Sequence, residues 1–289
     1  MMYLSRRMLR HVKSIQKQLD QLQPDAPVQA LLVPGSPRQP RATIIVFTGS
    51  FNPPTTAHLA LLKQGQLYAH QQENQTHLQS HQSRSRRSIS LYAAFSKVTV
   101  NKEKLERPLL LDRMMLLQQL LRRRLPHTGL LLFNRGLYVE QAHALRHSFP
   151  AVKRIYFLMG YDKIVQIFDP RYYQDRDAEL EALFHEAQML VAPRGDGDEA
   201  ALQRLLEQPE NRRFARYVHT IPFNPIYRAI SSTSIRTGNS TYDNAIPHEV
   251  RLFMRKTQAY APSVQKKDGT GVDYYKERML QLNKLINTV

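Results

Sequence analysis

The sequence contains no cysteine, no tryptophan, no acidic residue before Asp20 and no apolar run long enough to cross a bilayer. Without thiols there is no disulfide framework, no thiolate zinc or iron–sulfur site and no cysteine nucleophile. A membrane span needs roughly 18 consecutive apolar residues, and the longest apolar stretches, such as Leu130 to Phe133, have the length of a strand. Acidic residues are scarce overall: 41 Lys and Arg face 24 Asp and Glu, a formal net charge of +17. So basic a surface attracts polyanions and nucleotides before any specific contact forms. What remains is a globular composition, 42% hydrophobic and 22% charged over 289 residues, enough for one large domain or two small ones.

Two segments stand apart from the rest. In the first, Leu4, Met8, His11, Ile15 and Leu19 recur every three or four residues, which predicts an amphipathic helix docked on a domain. Its cations Arg6, Arg7, Arg10, Lys13 and Lys17 give it the charge of a mitochondrial transit peptide, without the serine content. Cytoplasm or nucleus is therefore the default compartment and mitochondria the minority reading. Pro24, Pro27, Pro34, Pro37 and Pro40 mark a linker completing residues 1–42. The second segment, 64–90, is rich in Gln, His and Ser and predicts a flexible polar surface insertion. His70, His77 and His81 have a spacing that could invite a metal, but without carboxylate or thiolate partners the solvated reading is preferred. The run Arg84, Arg86, Arg87 reads as a solvated face.

From Thr43 the pattern becomes regular. Short apolar runs at Thr43 to Phe47, Leu91 to Val100, Gly129 to Phe133, Arg154 to Met159, Met189 to Ala192 and Ala215 to Ile221 suit strands of a buried parallel sheet. Helical patterns separate them at Leu109 to Leu125, Asp177 to Ala187, Asp198 to Leu206 and Pro247 to Gln258, the last with Pro247 in its first turn. Alternation of this kind implies an α/β domain over 43–262, covered on both faces, followed by a helical tail over 263–289. In open parallel sheets the loop after the first strand is the usual phosphate site. Here it reads Gly49-Ser50-Phe51-Asn52-Pro53-Pro54-Thr55-Thr56-Ala57-His58, which is neither a dinucleotide-fold glycine motif nor a P-loop. Gly49 permits close backbone approach, Ser50 and Phe51 can offer N–H groups, and His58 leans back toward the same mouth from the first turn of a helix.

The string GSFNPPTTAH directly after TIIVF resembles the signature of the nucleotidyltransferase superfamily. Within it, the resemblance is to the nicotinamide or nicotinate mononucleotide adenylyltransferase family, most closely a fungal subgroup. Ile230 to Arg236, ISSTSIR, is similar to that family's ISSTxxR motif, and Gly160-Tyr161-Asp162 to its Gly-x-Asp. IVQIFDPRYY from Ile164 and MLVAPRG from Met189 look like its following helix and strand, so the resemblance spans about Thr43 to Tyr260. It implies a single Rossmann-like doubly wound parallel sheet and an enzyme of NAD biosynthesis. The adenylyl group of ATP, bound with Mg2+, would pass to the mononucleotide, releasing pyrophosphate. Carried over residue by residue, Gly49, Ser50 and Phe51 would hold ATP or mononucleotide phosphate, and His58 would contact the transferring phosphate. Ser232, Thr233 and Arg236 would hold the β and γ phosphates, Arg236 as a bidentate fork. Gly160 and Asp162 would meet the nucleotide sugar. Of Lys97, Lys102 and Lys104, which follow the second strand, Lys102 and Lys104 are the positions favoured for substrate phosphate. No protein metal ligand is implied, because ATP can carry magnesium on its own phosphates.

The chain also departs from the pattern. Thr55 replaces the first histidine of the superfamily's H-x-G-H, a change found in eukaryotic mononucleotide adenylyltransferases. The tryptophan on which those enzymes stack the base is missing, which leaves the acceptor open and Phe133, Tyr138, Tyr161 and Phe168 as aromatic replacements. Two alternatives stay beside the leading reading. One is an ATP-binding or ATP-hydrolysing member with another acceptor. The other is a basic nucleic-acid or protein-binding module, for which no RNP, zinc-finger or recognition-helix motif speaks.

Overall fold

The segment from Ser5 to Leu32 is built into the domain rather than strung before it. In the computed structural model, which describes residues 5–80, 89–98, 107–193, 197–237, 243–265 and 271–287, α1 (Arg6–Gln21) starts at Ser5, whose hydroxyl accepts from the Met8 N–H at 3.2 Å. It buries Val12, Ile15 and Leu19, while Met8 is left exposed, so the docked face is rotated from the one the spacing predicts. Leu4 lies outside the described residues. Within the expected linker, β1 (Ala30–Leu32) pairs antiparallel with β4 (Gly129–Phe133), Leu31 opposite Leu132. Three residues between prolines carry no periodicity to announce a strand.

The central strand is β2 (Ala42–Thr48). Its β-branched run is buried on both faces: Ile45 and Phe47 belong to one apolar cluster, Ile44 and Val46 to the other. Parallel to it lie β3 (Ile89–Ser96), β5 (Val152–Gly160), β6 (Ala187–Ala192) and β7 (Val218–Thr220), which with β4 give a seven-stranded sheet in the order β1-β4-β3-β2-β5-β6-β7. The sheet is thus parallel except for one antiparallel edge. Strand order reverses between β2 and β5, the place where open sheets of this kind bind ligands.

One face is covered by α1, α2 (Thr56–Ser80), α3 (Leu110–Arg124) and α10 (Tyr274–Asn287). The other is covered by α4 (Tyr138–Ser148), α5 (Tyr161–Phe168), α6 (Arg176–Glu186) and α7 (Glu199–Glu207). α9 (His248–Thr257), with Pro247 at its N-cap rather than in its first turn, packs Val250 on Leu116 and Leu120 of α3. α8 (Ser232–Arg236) is a single short turn over the loop after β2. No helix among the described residues is long and apolar enough to cross a membrane.

The polar segment from Gln64 differs from the flexible insertion its composition predicts: through Ser80 it continues α2. Gly65 is the reason it can lie on the sheet, since a Cβ there would meet Leu158 Cδ2 at 2.9 Å and Leu91 Cδ1 at 3.2 Å. Ala69 is buried one turn later, and the Glu73 carboxylate accepts from Ile89 N–H at 2.9 Å, tying the helix to the start of β3. Small residues and one acceptor do here what a larger apolar stripe does elsewhere. His70 stands 4.0 Å from Glu73. The side chain of His77, with His81, Arg84, Arg86 and Arg87, lies outside the described residues. The apolar run Ala215 to Ile221 is only partly a strand, since Arg212–Tyr217 turns as a 3-10 helix before β7.

Candidate functional site

At the C-terminal end of β2 the loop leaves the sheet through Gly49, whose N–H is taken by the Ala94 carbonyl of β3 at 3.0 Å. Glycine is needed there because a Cβ would press on the Phe51 ring at 3.3 Å. Phe51 adopts φ 44°, a left-handed backbone costly for a bulky residue. Its fully buried ring compensates, packing edge-on at 5.3 Å from Phe47, 5.1 Å from Phe95 and 5.1 Å from His58. Among the described residues nothing accepts from the Ser50 or Phe51 N–H, so these donors, rather than that of Gly49, remain for an anion.

Thr55 and His58 form a reciprocal cap at the start of α2. His58 N–H donates to Thr55 Oγ1 at 3.3 Å, and Thr55 N–H donates to His58 Nδ1 at 2.9 Å, with Thr55 Oγ1 also 2.9 Å from that nitrogen. A histidine here plays the part that Glu or Gln plays in the usual capping box. Since Nδ1 accepts, the neutral ring carries its hydrogen on Nε2. Thr55 therefore orients the histidine rather than merely replacing another.

The second motif reaches the first directly. Ser232 Oγ donates to the Pro53 carbonyl at 2.8 Å, and Arg236 donates from Nη1 to the Asn52 carbonyl at 2.6 Å and from Nη2 to Thr233 Oγ1 at 3.2 Å. Ser231 caps α8 by accepting from Ser234 N–H. Asn52, fully buried, receives a further bond from Tyr260 Oη to its Oδ1 at 2.6 Å and donates from Nδ2 to the Arg107 carbonyl. Burial pushes the Tyr260 hydroxyl well above its ordinary pKa, so it stays a donor.

Beside the loop opens a cleft of about 390 Å³, lined by Gly49, Ser50, Arg113 and Thr233 together with Tyr138, Gln166, Tyr172 and Tyr173. That volume suits a small ligand. Gln141 of α4 forms its polar floor, accepting from Thr48 Oγ1 at 2.8 Å and donating to Ser96 Oγ at 3.1 Å and to the Gly136 carbonyl at 2.9 Å. Burial raises the pKa of Tyr173, which donates to the Ile167 carbonyl, to about 12, and keeps Tyr138 protonated too. Arg113, 8% exposed, donates from Nη1 to the Ser50 carbonyl at 2.8 Å and from Nε to the Pro108 carbonyl at 3.2 Å. Desolvation, with the like charge of Arg236 a smaller cause, holds its pKa below the ordinary guanidinium value.

Gly49, Ser50, Phe51, Ser232, Thr233 and Arg236 thus meet at one place. His58 and Gly160 share a small separate recess with Phe47, Ala192 and Phe223. Asp162 is exposed in the first turn of α5, and Lys163 and Gln166, not Asp162, line the cleft. Of the four aromatic candidates only Tyr138 lines it. Phe133 is buried in the sheet, Phe168 stacks on Phe184, and Tyr161 lies against Gly197. Lys97 turns away to the end of α1, where Nζ donates to the Leu19 and Leu22 carbonyls at 2.7 and 2.6 Å. Lys102 and Lys104 lie outside the described residues. Arg113, Gln141, Tyr172 and Tyr173 escape a sequence reading. The available signal is the charged pair Asp112-Arg113 inside an otherwise apolar helical face, and for the tyrosines their place at the end of IFDPRYY. No protein-family model matches the chain, and comparison with curated proteins finds no match.

Proposed function

We propose that the chain transfers the adenylyl group of ATP to nicotinamide or nicotinate mononucleotide. A phosphate oxygen of the mononucleotide attacks the α-phosphorus, the α–β bridging bond breaks, and pyrophosphate leaves with the magnesium that ATP brings. The observation that carries this reading is the junction of two motifs far apart in sequence, Ser232 and Arg236 bonded to the Pro53 and Asn52 carbonyls at the mouth of a cleft. Reactions of this type need in-line positioning and donors where charge develops, not a covalent intermediate. The Ser50 and Phe51 N–H groups, the His58 Nε2–H and the Arg236 guanidinium are donors of that kind, and the cleft is roomy enough for the acceptor. Asp162 is assigned to the ribose of the bound nucleotide, and Lys102 and Lys104 to substrate phosphate. The overall positive charge favours both substrates.

A second reading keeps ATP at the motifs and changes the acceptor. It is favoured by the lack of tryptophan and by a cleft whose rings are Phe95, Tyr138, Tyr172 and Tyr173. Incubation with Mg-ATP and each mononucleotide in turn, following dinucleotide and pyrophosphate together, decides between them. Stoichiometric appearance of both products supports adenylyl transfer to that acceptor. ATP binding without dinucleotide from either mononucleotide refutes it in favour of another acceptor.

A further inference from the structure

Two partly buried arginines have counter-charges: Arg146 pairs with Glu186 at 2.7 Å and Arg278 with Asp112 at 2.8 Å. Arg113 differs. Among the described residues no carboxylate lies within 4.0 Å of its guanidinium, although Asp112 precedes it in sequence and is itself buried. Asp112 is engaged by the C-terminal helix, with Oδ2 accepting from Tyr275 Oη at 2.7 Å and Oδ1 from Arg278 Nη2. Tyr275 is held there in turn, because its hydroxyl oxygen also accepts from Leu109 N–H at 2.7 Å and Arg107 lies over its ring. The C-terminal helix thus occupies both oxygens of Asp112, and the desolvated guanidinium of Arg113 rests on Ser50, two residues from the carbonyl that holds Arg236. Two like charges, of which one is buried with no carboxylate partner among the described residues, are expensive. An anion in the cleft that Arg113 lines with Gly49, Ser50 and Thr233 would offset that cost.

We propose that Arg113 binds a phosphate oxygen of a polyphosphate at this loop, and that Tyr275 and Arg278 are positioning residues that keep Asp112 from neutralising it. The site takes the triphosphate chain. That the triphosphate belongs to ATP rests on the adenylyl-transfer reading.

The test titrates the full chain calorimetrically with Mg-ATP, magnesium tripolyphosphate and adenosine, comparing wild type with Arg113→Met, Arg113→Lys and Tyr275→Phe. Arg113→Met should weaken both polyphosphates by about 10- to 100-fold, the loss of a charge-assisted hydrogen bond, and leave adenosine unchanged. Arg113→Lys, which keeps the charge, should recover most of the tripolyphosphate affinity and guards against a misfolded methionine variant. Tyr275→Phe, which frees one oxygen of Asp112, should weaken tripolyphosphate several-fold. Equal tripolyphosphate affinity in wild type and Arg113→Met, parallel loss of adenosine, or no tripolyphosphate binding by wild type overturns the assignment. Unchanged affinity in Tyr275→Phe overturns the positioning role. Dinucleotide synthesis measured alongside separates the two readings. Arg113-dependent polyphosphate binding without dinucleotide refutes adenylyl transfer alone, whereas dinucleotide synthesis with an unchanged KM for ATP in Arg113→Met refutes this inference alone.

Discussion

Arg236 donates to the Asn52 carbonyl at 2.6 Å across 184 positions of sequence, and with its other terminal nitrogen to Thr233 Oγ1. The guanidinium therefore fixes the loop after β2 and remains beside the N–H groups of Ser50 and Phe51. Arg236→Ala should lower dinucleotide formation about 100-fold, the scale of removing one preorganised donor to developing charge. Arg236→Lys should recover only part of it, because a single ammonium cannot reproduce the fork. Steady-state rates with saturating substrates check this, and a loss below about threefold in Arg236→Ala would count against a role at the phosphates.

His58 has two jobs in this structure, and substitution can separate them. His58→Ala should destabilise the protein by about 1 kcal/mol through loss of the reciprocal cap with Thr55. His58→Gln offers a side chain able to close the same box, so it should melt near wild type. It lacks the oriented Nε2–H, and dinucleotide formation should still fall by about 100-fold or more. Activity that tracks melting temperature through both variants would make His58 a capping residue only.

Lys97 braces the end of α1 instead of meeting a substrate. Its replacement by Met should cost roughly 1–3 kcal/mol, since the Leu19 and Leu22 carbonyls lose a charged donor. KM for either nucleotide should not move. Denaturant titration and steady-state kinetics on one preparation test this, and a raised KM with unaltered stability would return Lys97 to the substrate.

Acid should weaken the β6–β7 edge through His219. Its Nε2 donates to Gln188 Oε1 at 2.7 Å, and desolvation holds its pKa below the ordinary 6.5. The unfolded chain then takes the proton first, so this contribution to stability is complete above pH 6.5 and is lost as pH falls from there toward the folded pKa. Denaturation midpoints at neutral and mildly acidic pH should differ less in His219→Gln than in wild type. Equal differences would remove His219 from the acid response.

β2 and its loop are legible in the sequence because a strand buried on both faces is a continuous apolar run and the loop has an unusual composition. The later half of α2 is not. It docks through the absence of side chain at Gly65 and Ala69, and a helix that packs by being thin leaves a polar composition behind. The hydroxyl and guanidinium groups of α8 are visible as a string, but only the folded chain reveals that Ser232 and Arg236 act on the Pro53 and Asn52 carbonyls. Arg113 is hidden for the opposite reason: it is one charge in a mostly apolar helical run, and only the folded chain shows Asp112 turned to Tyr275, 163 positions later, and Arg113 to the Ser50 carbonyl.

Asn52 is gripped by the Arg107 carbonyl, the Tyr260 hydroxyl and Arg236, and the segment below it by Tyr275 and Arg278. The loop is thus synthesised well before the residues that shape it, Arg236 and Tyr260. A nascent chain halted before Arg236 would carry the whole GSFNPPTTAH string without the guanidinium and the hydroxyl that hold its Asn52.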